Sequence, residues 1–178
     1  MKSNITQKAN IPKGVTVSVI DNTVTVKGPK GELSRTFSSN DVTILVQNDT
    51  IVLSAKNATR REQMQLYTFL SHVKNMMDGV LSPWIYTLKV CAGHFPINVK
   101  VENNSLIVKN FLGEKTPRHL KLPTGVKVTA VGNDVTVEST DVEKAGNVAS
   151  RIELFTRVRN RDLRIFQDGI HIVTKGKR

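Results

Sequence analysis

An α+β fold of two similar domains, each an antiparallel sheet packed against one main helix, is the architecture this 178-residue chain predicts. Three observations carry that expectation. One pattern of strands and turns is written twice, helical periodicity follows each copy, and a proline-restrained junction at Leu81-Ser82-Pro83-Trp84 divides the chain into domains 1–83 and 84–178. An internal duplication accounts for all three.

The first copy runs Pro12-Lys13-Gly14-Val15-Thr16-Val17, then Asn22-Thr23-Val24-Thr25-Val26-Lys27, then Gly31-Glu32. The second runs Pro96-Ile97-Asn98-Val99-Lys100-Val101, then Asn104-Ser105-Leu106-Ile107-Val108-Lys109, then Gly113-Glu114. The offset is 84 residues at the start and 82 after the turn. A denser match at 111 residues pairs the hairpin after Pro12 with the one after Pro123, but it leaves the helices unmatched.

Val15, Val17 and Val19 alternate with polar residues, the period of a half-buried strand. Asp21-Asn22 and Gly28-Pro29-Lys30-Gly31 read as turns, and Val42–Val46 and Ile51–Leu53 as a further strand pair around Gln47-Asn48-Asp49-Thr50. Asn57 is placed to cap a helix in which Leu66, Leu70, Val73 and Met77 share a face, and Asp78-Gly79 to end it. Met64, Met76 and Met77 are expected in the core of that helix. At the junction, Trp84 is placed to pack between the domains. The second copy adds a strand at Tyr86–Val90, the flanks of Gly132-Asn133-Asp134, a cap at Asp141 and helical spacing through Ala145, Val148, Ala149, Ile152 and Phe155.

The net charge is +11, which points to a polyanionic partner, nucleic acid before membrane. No apolar run is long enough to span a bilayer, and the first residues show no signal-peptide core, so a cytoplasmic protein is expected. The single cysteine, Cys91, fits a reducing compartment and is expected as a buried thiol. Cys91 and His94 stand three apart without a second such pair, so no metal is expected. No Gly-x-Ser-x-Gly elbow and no Walker spacing occur, which leaves no catalytic residue to name and no cofactor or small-molecule substrate.

Charge is unevenly shared: net +4 over residues 1–83 and +7 over 84–178. Arg157, Arg159, Arg161, Arg164, Lys175, Lys177 and Arg178 face only Asp162 and Asp168, a net of +5 after the second helix. Arginine's planar fork suits phosphate. A solvated helix end and tail is the alternative, since a helix dipole also favours nearby cations. Lys115, in the more basic copy, is a further candidate for RNA phosphate.

Val26-Lys27-Gly28-Pro29-Lys30-Gly31, Ser71-His72-Val73-Lys74-Asn75-Met76, His94-Phe95-Pro96-Ile97-Asn98, Asn110-Phe111-Leu112-Gly113-Glu114-Lys115 and Phe166-Gln167-Asp168-Gly169-Ile170, in this order, resemble the large-subunit ribosomal protein L six family, in its eukaryotic form (called L nine) or its archaeal form. The resemblance spans essentially the whole chain. It implies a structural, non-catalytic protein that binds large-subunit ribosomal RNA, mainly through the second domain. It further implies a place near the stalk base and the translation-factor site, beside neighbouring large-subunit proteins. By position, the Lys109 to Lys115 region, Arg118, Arg157, Arg161, Arg164, Lys175 and Lys177 would face RNA, and the arginine run adds Arg159 and Arg178. The rival readings are a protein-interaction module that lends strand edges to partners and, third, an enzyme.

Overall fold

The first unit opens with a strand that the alternation of apolar residues does not announce. β1, Ser3–Asn10, is mostly polar, yet it pairs antiparallel with β6, Thr50–Ala58. The structure, a computed structural model, describes residues 3–39, 41–93 and 95–177, and the chain forms two compact units, Met1–Pro83 and Trp84–Arg178.

Between β1 and β6 lie β2 (Thr16–Ile20), β3 (Thr23–Gly28), β4 (Gly31–Thr36) and β5 (Val42–Gln47). They form two small sheets, ordered β2-β3-β4 and β1-β6-β5. α1, Arg60–Leu81, lies against both, burying Leu66, Val73 and Val80 among Val24, Val26, Ile51 and Leu53. Burying a side chain of this size is worth roughly 1.5–3 kcal/mol.

Four expectations for this helix change. Its N-cap is Thr59, whose N–H donates to the Glu62 carboxylate at 2.7 Å. The Thr59 hydroxyl, which also donates to that carboxylate, is the largest cause holding the Glu62 pKa below its ordinary value. Asn57 sits instead in a bulge of β6 at φ 52°, its N–H donating to Asn4 Oδ1 at 2.9 Å. The two caps, Thr59 and Asp141, therefore stand 82 residues apart rather than 84. Gly79 is helical and buried, and the helix continues to Leu81. It stops where Pro83 forces Ser82 into extended backbone. Met76 and Met77 are core, whereas Met64 is 66% exposed.

The second unit holds β7 (Trp84–Cys91), β8 (Asn98–Glu102), β9 (Ser105–Lys109), a 3-10 turn at Phe111–Gly113, β10 (Arg118–Lys121), β11 (Lys127–Val131) and β12 (Asp134–Ser139). α2 (Val142–Phe155) and β13 (Gly169–Lys177) follow. Asn103 and Asn104, at φ 48° and 57°, make the tight β8–β9 hairpin, whose two central residues need left-handed backbone. Asp141 caps α2, accepting from the Glu143 N–H at 2.9 Å. Trp84 opens β7 and is buried, with its ring against Gly176 of β13.

The sheets here are β8-β9-β10 and β11-β12-β7-β13. The fold class is thus α+β with two similar sheet-and-helix units, each dividing its strands between two sheets. The C-terminal stretch is neither helix end nor tail. Residues 157–168 form a loop, and 169–177 return as β13 on the outer edge of β7.

Candidate nucleic-acid interface

Two basic segments of the second unit are built and braced. The first follows β9. Asn110, Leu112 and Gly113 all take left-handed backbone, at φ 60°, 50° and 81°, which coils the chain tightly before β10. Asn110 Nδ2 donates to the Pro96 carbonyl at 3.1 Å, and Phe111 is buried as the turn's apolar anchor. Lys109 and Lys115 are left exposed on either side of it.

Arg118 holds this turn in place. Its Nε donates to Glu114 Oε2 at 2.7 Å and its Nη2 to Oε1 at 2.5 Å. Its Nη1 donates to the carbonyl of Phe155, the last residue of α2, at 2.9 Å. The guanidinium also lies 4.2 Å from the Phe111 ring centroid, a cation–π contact. The Arg118 fork keeps the Glu114 carboxyl pKa below its ordinary value. Of the basic residues singled out in the sequence, Arg118 is, among the described residues, the one with all three guanidinium nitrogens engaged within the fold.

The second segment is the loop from Arg157 to Asp168. Its base is closed by three side chains. The buried Thr156 hydroxyl accepts from the Ile170 N–H at 2.9 Å, and Glu153 Oε1 accepts from the Ile172 N–H at 3.1 Å. Asp168, buried, accepts from the Gly93 N–H. Inside the loop Asp162 accepts from the Arg164 backbone N–H at 2.9 Å and from its guanidinium at 2.7 Å. That fork lowers the pKa of Asp162 and raises that of Arg164. Arg161 lies 4.8 Å from the Phe166 ring centroid, and Val158 is buried beneath the loop.

Arg157 and Arg159 are exposed, as are Arg161, Arg164 and, on β13, Lys175. Among the described residues Lys109, Lys115, Arg157, Arg159 and Lys175 have no ion-pair partner. Arg178 and the side chain of Lys177 lie outside the described residues, as does His94 of the Cys91–His94 spacing. Cys91, the last residue of β7, is exposed, not buried. Among the described residues no three His, Cys, Asp or Glu side chains gather to hold a metal. No helix there is long and apolar enough to cross a membrane.

The Arg118–Phe155 bond brings the two basic segments together, since one ends just before Arg118 and the other begins two residues beyond Phe155. Neither the Arg118–Phe155 bond nor the loop's three closing bonds had a sequence signal, because each joins residues far apart in the chain.

Comparison with known proteins matches the family model described as ribosomal protein L6 twice, over residues 11–82 and 95–169. A large ribosomal subunit protein uL6 from Nanoarchaeum equitans is 47% identical over 93% of this chain and 90% of its own length. The uL6 of Aeropyrum pernix is 42% identical over 95% of this chain and 93% of its own. That of Methanosarcina mazei is 39% identical over 98% and 99%. With both units matched and relatives aligned along nearly their full length, the chain belongs to the ribosomal protein L6 family.

Proposed function

We propose that this chain is a structural protein of the large ribosomal subunit that docks on ribosomal RNA through its second unit. The observation that carries the reading is the junction of two braced basic segments at Arg118 and the end of α2. Lys109 and Lys115 flank one segment. Arg157, Arg159, Arg161 and Arg164 stud the other, with Lys175, Lys177 and Arg178 beyond it. Docking is electrostatic: each phosphate neutralised releases condensed counterions, and rigid loops fix the register. Structured RNA is met by shape and phosphate position, which needs no aromatic stacking platform. Arg118 acts from behind, setting the spacing of the two segments, and needs no RNA contact of its own.

The place of docking is the region of the stalk base and translation-factor site, among neighbouring large-subunit proteins, in cytoplasmic ribosomes. The role is non-catalytic and uses no cofactor. Sedimentation of extract at low and raised salt tests it. The chain should travel with large subunits and leave them as salt rises; a chain that stays at the top of the gradient at low salt overturns the reading.

A further inference from the structure

Superposing the duplicates by strand register pairs β1 with β7 and β6 with β12: Gln7 faces Leu53 as Tyr86 faces Val137. β7 has both edges in use, β12 on one and β13 on the other. β1 has β6 on one edge and, among the described residues, no strand on the other. Exposed edges are normally blunted by proline, charge or bulges. β1 is eight residues long, contains no proline, and carries Lys8 as its single charge. The bulge beside it lies in β6.

The helix above this edge is also uncovered. In the second unit Tyr86 is sandwiched, its hydroxyl close to Gly146 of α2 and to Gly176 of β13. Counting 82 residues back from α2, the places of Gly146 and Ala149 belong to Met64 and Tyr67, which are 66% and 43% exposed. The Tyr67 hydroxyl accepts from Gln7 Nε2 at 3.2 Å, which sets this ring over β1.

We propose that the open edge of β1 receives an extended segment of a neighbouring large-subunit protein, as an added antiparallel strand occupying the place that β13 occupies in the second unit. The inference rests on the proposed residence in the large subunit. Its ligand is a polypeptide because an edge offers a ladder of backbone N–H and C=O groups, which only another backbone can complete. The segment should carry apolar residues at alternate positions to cover Met64 and Tyr67, as Ile170 and Ile172 do in β13. A second copy of this chain fits poorly: β1 would bring Ile5, Gln7 and Ala9 to that face, only one of them a large apolar residue.

The test compares hydrogen exchange of the wild-type chain, free and within purified large subunits. Amide exchange across Asn4–Asn10 should slow at least tenfold on assembly. In parallel, a photo-crosslinker on Thr6→Cys in a Cys91→Ser background should join β1 to an extended peptide of another large-subunit protein. Unchanged exchange in β1, crosslinks to RNA alone, or crosslinks to a second copy each overturn the proposal. Sedimentation separates the two readings: absence from the particle defeats both, and presence with an unprotected β1 defeats this one alone.

Discussion

α1 and α2 begin alike and end differently. Measured from their caps, Val73 in α1 and Phe155 in α2 hold the same place. Beyond it α1 continues to Leu81, where the Val80 carbonyl accepts from the Lys30 N–H at 3.0 Å and the Val80 side chain meets Gly28. The helix thereby pins the β3–β4 turn directly. α2 stops, and the chain leaves as an arginine loop. The corresponding turn after β9 is then secured by one long side chain, Arg118, reaching to the helix end. In the first copy helix holds turn; in the second a side chain takes over that task, and the released backbone carries charge. Of two duplicated domains, the one with the shorter helix carries the proposed binding surface, and a side chain braces the gap.

The largest expected effect tests where binding resides. Changing Arg157, Arg159, Arg161 and Arg164 to Gln should lower affinity for large-subunit RNA by more than about 100-fold near 0.1 M salt. The slope of log K against log salt should flatten by roughly three, at ~0.7–0.9 per lost phosphate contact. Neutralising Lys8, Lys13, Lys27 and Lys30 in the first unit should change affinity by less than about threefold; equal losses would erase the asymmetry between units.

Stability comes next. Thr156→Val removes the acceptor for a buried N–H, costing about 2 kcal/mol in denaturant unfolding. Lys74→Ala, at the same helix position in the first unit but exposed, should stay within about 0.5 kcal/mol. Gly28→Ala would place a methyl 2.8 Å from Val80 Cγ2, and overpacking there should cost about 1–2 kcal/mol. Asn110→Gly, its counterpart in the second unit, already at positive φ, should be close to neutral.

The smallest effect concerns pH. Arg118→Gln should cost about 1 kcal/mol, discounted because Glu114 is partly exposed. Glu114 is depressed below its ordinary value of 4.5 by that arginine. Its contribution is therefore complete above about pH 4.5 and fades as pH falls through the lowered folded value. The variant should lose this acid-side dependence; an unchanged acid limb would assign Glu114 no part in bracing the turn.

Much of this architecture is legible in the chain because it is local. Hairpin valines, Asp141 as a cap and the apolar faces of both helices all announce themselves by spacing. β1 does not, because Ser3 to Asn10 is polar enough that only its pairing with β6 makes it a strand. β13 had a signal in Ile170, Ile172 and Thr174, overshadowed by the charge around it. Asn57 misleads because the β6 bulge holds a capping residue type two positions short of the true cap, Thr59. At the interface the basic residues are visible one by one, but Arg118's inward role depends on Glu114, Phe111 and Phe155 meeting in space.

β13 also sets an order of events. Gly169 pairs with Cys91, 78 positions earlier in the chain. As the polypeptide emerges during its own synthesis, the first unit can close on contacts already made. The second must wait with β7 unpaired along one side until nearly its whole length has appeared. Long-range pairing of this kind is slow, and an unpaired strand invites wrong partners meanwhile. The arginine loop is anchored at its far end by that same late strand, so its geometry is set last. The proposed RNA-binding surface would then mature only after the rest of the molecule has folded.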